Sequence, residues 1–279
     1  MRQTLLKRSG EGRIGVIPMR DLFKDGKALL LACDQGFEHG PQAFNEDNVD
    51  PQLIIDLAEN GPFTGVVLLP GTAAHYYSGR KLSVPLIVKI NSKSSWQRGD
   101  SISLQHCSVA RAKALGAVAV GYTLYSGSQH ETAMYVEFGR IIEEAHALGL
   151  SVIAWAYPRG EAIDDPMDTN TIAYAARIAA ELGADMVKLK YNHDRDGFPW
   201  ILKNALRSKV VVSGGSKTDE YESLKAFKEA FDMGAVGTAV GRNVWQNAKP
   251  FAFSEALGKL LFEGASVDGA YEHYRHRDS

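Results

Sequence analysis

The residues best suited to chemistry are two lysines near the end of one short apolar segment. Lys188 and Lys190 alternate with Val187 and Leu189, and successive side chains on a β-strand point to opposite faces. Both ammonium groups therefore face the same way, which in a closed barrel is the interior. Burial and repulsion between like charges both lower a lysine pKa, and an unprotonated lysine attacks carbonyl carbon. The alternative is that both lysines lie at a hydrated strand end.

A carboxylate follows another strand-like segment. Asp34 comes directly after an apolar run and precedes a glycine-flanked loop that contains Glu38 and His39. Asp34 shares its parity with Leu30 and Ala32, so it can face the interior beside the lysines. The alternatives are an Asp-initiated turn and, for Glu38 and His39, a pair of metal ligands.

A third segment ends with Trp155, Tyr157 and Arg159 at alternate positions. Nearby lysines are expected to lower the pKa of the Tyr157 hydroxyl, which would make it a usable proton carrier. Arg159 is a candidate for binding a phosphate group of the substrate. The alternative is a pair of core aromatic side chains followed by a surface arginine.

Glycines and cations follow the last two strand-like segments. The residues are Ser213, Gly214, Gly215 and Lys217 after one segment, and Gly241 and Arg242 after the other. Glycine lets backbone N–H groups approach an anion, and the loops after strands seven and eight commonly bind phosphate in (β/α)8 barrels. The pattern predicts a phosphate site, with plain tight turns as the alternative.

These residues all end strands in a chain that alternates apolar runs with amphipathic stretches of helical period. The strand candidates are 28–34, 64–69, 85–91, 117–125, 151–157, 185–191, 209–213 and 236–240. Apolar strands separated by helices indicate a parallel sheet covered on both faces. Eight such units predict an α/β protein with a single (β/α)8 TIM barrel, whose chemistry lies at the carboxyl ends of the strands. A doubly wound open sheet is the alternative, but no dinucleotide-binding fingerprint follows the first strand.

Length, charge and cysteine content narrow the class of protein. The 279 residues suit one barrel domain over 1–279, with 1–27 as an N-terminal cap segment and 266–279 as a polar C-terminal tail. The net charge of −2 argues against a nucleic-acid partner. No run approaches the roughly 18 apolar residues that span a bilayer, so no membrane partner is expected. Two cysteines without paired spacing favour the reducing cytoplasm.

In combination, these motifs resemble the archaeal-type class I fructose-1,6-bisphosphate aldolases. The resemblance covers residues from about 28 to 246 and rests on segments 34–41, 155–160, 185–191, 213–215 and 240–246. It implies that Lys188, rather than Lys190, forms the Schiff base. It also implies that Tyr157 transfers protons and that Asp34 contacts substrate hydroxyl groups, while Trp155 matches the tryptophan of the family.

The resemblance implies phosphate binding at the two glycine-bearing loops and assembly into a homo-oligomer, such as a decamer. The expected reaction is the reversible cleavage of fructose 1,6-bisphosphate to dihydroxyacetone phosphate and glyceraldehyde 3-phosphate. A protonated imine on the lysine acts as the electron sink, so neither a metal nor a cofactor is expected. The partner is then a small-molecule sugar phosphate.

Three other functions fit parts of the pattern. One is a related imine-forming lyase or transferase on another sugar phosphate, as in the aromatic-biosynthesis or signal-molecule branches of the same family. Another is a metal-dependent aldolase, although no two histidines show ligand spacing on one element. The third is a catalytically silent regulator that binds a phosphosugar, which would need Arg242 but not Lys188 or Tyr157.

Overall fold

A computed structural model of the protein describes residues 19–214 and 219–277. Its strands are β1 (Ala28–Cys33), β2 (Gly65–Leu68), β3 (Leu86–Lys89), β4 (Ala117–Leu124), β5 (Ser151–Ala156), β6 (Met186–Lys190), β7 (Lys209–Ser213) and β8 (Gly237–Val240). They form one closed barrel in chain order, and all neighbouring strands are parallel, including β1 and β8. The predicted (β/α)8 TIM barrel is confirmed, and each predicted strand is present.

Helices connect the strands and cover the outside of the barrel. They are α1 (Gln35–His39), α2 (Gln52–Asn60), α3 (Pro70–Thr72), α4 (Val109–Ala114), α5 (Glu131–Ala147), α6 (Thr169–Glu181), α7 (Phe198–Asn204), α8 (Glu220–Asp232), α9 (Arg242–Trp245), α10 (Pro250–Gly258) and α11 (Val267–His276). Short 3-10 helices cover Arg20–Leu22 and Pro41–Ala43, and π-helical turns cover Ala73–Tyr77 and Lys259–Glu263. Across residues 19–214 and 219–277, no helix is long and apolar enough to cross a membrane.

Local sequence signals explain where several helices begin and end. Ser108, Asp168, Asp219 and Ser266 each precede a helix and accept a hydrogen bond from a backbone N–H in its first turn. Glycines that follow four of the helices have positive φ angles: 94° at Gly116, 73° at Gly149, 106° at Gly183 and 112° at Gly234. Glycine adopts this left-handed conformation without a steric penalty, so each chain reversal into the next strand follows directly from the sequence.

Alternation along the strands divides the apolar core into two parts. The outer part lies between strands and helices and includes Val187 and Leu189. The inner part fills the barrel and includes Met186 and Trp155. Lys188 has the same parity as Met186 and is only 3% exposed, so it lies inside the barrel. It is two residues before the carboxyl end of β6.

The two ends of the described chain pack against the barrel. Leu22 is buried within the inner apolar group beside Leu30, so residues 19–27 of the predicted cap segment cover the amino-terminal ends of the strands. Residues 1–18 lie outside the described part of the chain. The segment predicted as a polar tail contains α11, whose Tyr274 ring packs edge-on against Phe253 of α10 at 5.8 Å.

Candidate active site

A cavity of about 930 Å³ opens where the carboxyl ends of the strands meet. Ten of the residues predicted from the sequence line it: Asp34, Trp155, Tyr157, Arg159, Lys188, Lys190, Ser213, Gly214, Gly241 and Arg242. The remaining two predicted residues, Gly215 and Lys217, lie outside the described residues. The fold therefore brings residues from five different strand ends into one cavity.

Lys188 lies deep in this cavity. Its ammonium nitrogen is 4.9 Å from the centroid of the Trp155 ring, where the electron-rich face of the indole attracts a cation. Burial lowers the pKa of Lys188, while the negative charges of Asp34 and Glu38 oppose that change. The surroundings thus favour an uncharged amine while keeping acidic groups close by.

Lys188 has a lowered pKa, as expected, but the expected cause, the charge of Lys190, is wrong. Lys190 is only partly buried, and its own pKa is lowered by burial and then by the positive charge of Arg159. The pKa of Lys188 responds instead to burial and to the two carboxyl groups. Strand parity placed both lysines on one face, but depth in the barrel separates their environments.

A second buried lysine lies next to Lys188. Lys89 ends β3, has no exposed surface, and has its ammonium nitrogen 5.5 Å from the centroid of the Trp155 ring. It donates hydrogen bonds to the backbone and side-chain oxygens of Asn91. Burial lowers the pKa of Lys89, and Lys188 lowers it further, whereas Glu38 and Asp34 raise it. The same alternation that identified Lys188 also holds for Lys89 and Asn91.

The Trp155 ring contacts both lysines, because the ammonium nitrogens of Lys188 and Lys89 each lie within about 6 Å of its centroid. It is 2% exposed, and its indole N–H has no hydrogen-bond partner among the described residues. Space for the ring exists because position 121 is glycine: a Cβ atom there would lie 2.3 Å from the Trp155 ring. Gly121 is therefore a residue of the site that the sequence offered no signal to find.

Tyr157 lies at the end of β5, but its electrostatic environment is opposite to the prediction. Burial raises the pKa of Tyr157 well above the ordinary value, and the negative charges of Asp34 and Glu38 add to this effect. The lysines were expected to lower this pKa; that expectation is wrong because the two carboxyl groups and burial dominate. The phenol is therefore protonated at neutral pH and is suited to donate a proton first.

Two carboxyl groups approach the cavity from the first turn after β1. Asp34 precedes α1 and is 6% exposed, and Glu38 lies one helical turn later, so both side chains are on the same side of the turn. Burial raises the pKa of Glu38, while Lys89 lowers it. Within the described residues, no group of three or more His, Cys, Asp or Glu side chains could hold a metal ion.

Backbone from the ends of β7 and β8 forms the neighbouring wall. A Cβ atom at Gly241 would lie 2.7 Å from the carbonyl oxygen of Ala32, and one at Gly214 would lie 2.6 Å from the Asn243 side-chain oxygen. Position 241 therefore requires glycine, and a side chain at position 214 would displace Asn243. The short helix α9 begins at Arg242, and the first N–H groups of a helix have no acceptor within it. This wall combines the backbone of the first turn of α9 with the guanidinium group of Arg242, an arrangement that suits a phosphate.

Arg159 provides a second cation on the far side of the cavity. Its guanidinium carbon lies 5.4 Å from the centroid of the Tyr125 ring, so the side chain rests on an aromatic face. Tyr125 was not assigned to the site from the sequence, although it lines the cavity. Because Arg242 and Arg159 belong to loops on opposite sides of Lys188, the cavity suits a molecule that is anionic at both ends.

Comparisons with known proteins agree with this geometry. The chain matches the DeoC/LacD family aldolases over residues 28–247. A fructose-bisphosphate aldolase class 1 from Thermoproteus tenax is 44% identical over 252 residues, which cover 89% of this chain and 95% of that protein. A Methanocaldococcus jannaschii protein named fructose-bisphosphate aldolase/6-deoxy-5-ketofructose 1-phosphate synthase is 35% identical over 269 residues, covering 90% of this chain and 86% of its own.

A similar structure has also been solved. It is an archaeal fructose-1,6-bisphosphate aldolase with its catalytic lysine covalently bound to the carbinolamine intermediate of the substrate. It is 44% identical to this chain with a TM-score of 0.82, and the match covers 88% of this chain and 96% of that one. The structural match therefore covers almost the whole barrel.

Proposed function

The chain belongs to the DeoC/LacD aldolase family, and on that premise we propose that it is a class I fructose-bisphosphate aldolase. It cleaves fructose 1,6-bisphosphate reversibly to dihydroxyacetone phosphate and glyceraldehyde 3-phosphate. The observation that carries the proposal is Lys188, a buried lysine of lowered pKa in a cavity with cationic side chains on two sides. An amine in that setting attacks a ketone held between two phosphate sites.

The reaction begins at the substrate carbonyl. The uncharged amine of Lys188 adds to carbon 2 and gives a carbinolamine. Tyr157, which is protonated in the free enzyme, donates its proton to the departing hydroxyl group, so that water leaves with the electron pair of the C–O bond. A protonated imine and a phenolate result, and the positive nitrogen becomes the electron sink for the next step.

The phenolate then serves as the base for cleavage. It takes the proton of the hydroxyl group on carbon 4, the bond between carbons 3 and 4 breaks, and glyceraldehyde 3-phosphate leaves. The bonding electrons pass into the imine and give an enamine. Tyr157, again protonated, returns its proton to carbon 3, and water then releases dihydroxyacetone phosphate and restores the lysine. Asp34 holds the substrate hydroxyl groups in line for these transfers.

The substrate is held at both ends. We assign the phosphate on the dihydroxyacetone side to Ser213, Gly214, Gly241 and Arg242, where glycine backbone and a cation line the cavity. We assign the other phosphate to Arg159, with Lys190 nearby at the cavity wall. Gly215 and Lys217 are expected to extend the first phosphate site. Trp155 keeps the lysine amine and the substrate carbonyl at the same depth.

The assembly and location of the enzyme are further proposals. We propose a homo-oligomer, such as a decamer, that acts in the cytoplasm on a sugar phosphate without a metal or a cofactor. Size-exclusion chromatography with light scattering measures the mass of the protein in solution. Finding only the 30.5 kDa monomer would exclude an oligomer.

A substrate panel tests the proposed function. Purified protein is assayed with fructose 1,6-bisphosphate, fructose 1-phosphate and other ketose phosphates, with and without a chelator. Cleavage of fructose 1,6-bisphosphate that is unaffected by the chelator supports the proposal. Preference for another sugar phosphate would instead favour the alternative of a related imine-forming lyase or transferase. We consider this alternative because the Methanocaldococcus jannaschii relative is named for two activities.

A further inference from the structure

Arg159 depends on a neighbouring loop for its position. The backbone N–H of Arg159 donates to the carbonyl oxygen of Ser126 at 2.9 Å, and the N–H of Ala162 donates to the carbonyl oxygen of Gly127 at 3.2 Å. Both acceptors belong to the loop between β4 and α5, as does Tyr125, on whose ring the guanidinium rests. The β4–α5 loop is thus the support on which the β5–α6 loop, with Arg159, is held.

The two loops are in direct backbone contact. Gly160 has a φ of 151°, and a Cβ atom there would lie 2.2 Å from the carbonyl oxygen of Gly127. No side chain separates the loops at this point, so a displacement of the β4–α5 loop is passed directly to Arg159. The position of the guanidinium then follows from whatever fixes the β4–α5 loop.

Asp100, in the loop between β3 and α4, fixes it from the other side. One carboxylate oxygen of Asp100 accepts from the N–H of Gln129 at 2.8 Å and, over a longer distance of 3.4 Å, from the N–H of Glu161. Its other oxygen accepts from the N–H of Ser101 at 2.8 Å. The hydroxyl of Ser128 donates to the carbonyl oxygen of Ser101. One carboxylate therefore bonds to the loops after β3, β4 and β5.

These bonds are made away from the substrate. Asp100 does not line the cavity, whereas Arg159 and Tyr125 do. Donation by the Gln129 N–H lowers the pKa of Asp100, so the carboxylate form that accepts all of these bonds is the one present at neutral pH. Any effect of Asp100 on the reaction must therefore pass through the loops it joins.

We propose that Asp100 is a positioning residue for Arg159 and thereby sets the preference of the site for a ketose with a second phosphate. The inference rests on the proposed function, in which Arg159 binds that phosphate. A bisphosphorylated ketose places its second phosphate at a set distance from the carbonyl carbon that Lys188 attacks. A cation already held at the matching distance from Lys188 loses less conformational entropy on binding than a mobile cation does. A substrate with one phosphate gains nothing from this arrangement.

The test compares two substrates in an Asp100→Asn variant. Asparagine keeps the shape but has only one oxygen acceptor, so it cannot accept from both Ser101 and Gln129. We expect the KM for fructose 1,6-bisphosphate to rise about three- to tenfold, the scale of one lost hydrogen bond. The KM for fructose 1-phosphate and the kcat with either substrate should stay within about twofold of wild type.

A second variant and a control distinguish a specific effect on Arg159 from a general loss of structure. Ser128→Ala removes the hydroxyl that bonds to Ser101, His130 and the Asp100 carboxylate. It leaves the backbone N–H bonds to Asp100 in place, so it should shift the KM ratio in the same direction by a smaller factor. Asp50→Asn is the matched control, because Asp50 accepts from the N–H of Gln52 at 2.9 Å but joins none of these loops. It should leave the ratio of the two KM values unchanged.

A double variant shows whether the effect passes through Arg159. In an Arg159→Ala background, Asp100→Asn should add no further selectivity. Equal changes with both substrates, no change with the bisphosphate, or full additivity with Arg159→Ala would overturn the role of Asp100 alone. An Arg159→Ala enzyme that keeps the wild-type KM ratio would instead contradict the second phosphate site, and this proposal with it. An absence of aldol cleavage altogether would contradict the proposed function itself.

Discussion

At the scale of single residues, the cavity favours the uncharged forms of groups that are charged in water. Burial lowers the pKa of Lys188 and Lys89 and raises that of Glu38 and Tyr157. A free amine and a protonated phenol are the forms that carbinolamine formation and dehydration need. The proposed chemistry therefore follows from a shared cause, the burial of these side chains in the upper barrel.

Replacement of Tyr157 tests the proton transfers. Tyr157→Phe keeps the ring but removes the hydroxyl, so we expect kcat to fall by about 100-fold or more, the usual scale for a lost acid–base group. The matched control is Tyr122→Phe, because the Tyr122 hydroxyl donates to Glu137 at 2.7 Å outside the cavity. That variant should lose about 1–3 kcal/mol of stability with near-normal turnover. Near-normal turnover in Tyr157→Phe would assign the proton transfer to another group, with Asp34 first.

Lys89 predicts a pH dependence of stability. Its folded-state pKa lies below the ordinary 10.5, so between those two values the unfolded chain binds more protons than the folded one. The free energy of unfolding therefore rises as pH increases through that window. Lys89→Met should reduce the slope of that rise as pH approaches 10.5, measured by urea denaturation. Lys203→Met, on the exposed side of α7, should keep the wild-type slope, and an equal slope in Lys89→Met would contradict the burial argument.

At the scale of elements, the ends of β7 and β8 form the wall of the cavity to which we assign a phosphate. A charge-assisted hydrogen bond from Arg242 is worth about 1.5–3 kcal/mol, so Arg242→Ala should raise KM about 10- to 100-fold for both fructose 1-phosphate and fructose 1,6-bisphosphate. The catalytic step should change less, because the phosphate contact is the same in ground and transition states. Arg177→Ala, which removes an exposed partner of Glu181 on α6, is the control. Unchanged KM values for Arg242→Ala would refute this assignment.

The Trp155 ring packs against Gly121 of β4, where the lack of a side chain leaves space for the indole. Gly121→Ala would place a methyl group 2.3 Å from the Trp155 ring, so we expect a loss of about 1–3 kcal/mol from overpacking and lower activity from a displaced indole. Gly139→Ala is the control, because nothing lies within 4 Å of a Cβ atom there, and alanine is favoured over glycine in a helix by about 1 kcal/mol. Thermal melts should shift in opposite directions for the two variants; a downward shift in both would contradict the packing argument.

Across the whole molecule, the sequence predicts the architecture better than the environment of each group. Alternation and helix-ending glycines are local signals, so eight strands and the interior face of Lys188 could be read directly. The depth of Lys190, the contact of Lys89 with Trp155 and the effect of Asp34 on Tyr157 depend on residues that are distant along the chain. Such distances are set only when the barrel closes, so the pKa of Tyr157 was predicted in the wrong direction.

The most direct test of the proposed function is to trap the imine. Borohydride reduces an imine to a stable secondary amine, so protein treated with dihydroxyacetone phosphate and borohydride should lose activity irreversibly. Peptide mass spectrometry should find one adduct per chain, on Lys188, and none in a Lys188→Ala variant. An adduct on Lys190 or Lys89, labelling that persists in Lys188→Ala, or full activity after treatment would contradict the assignment of Lys188 as the nucleophile.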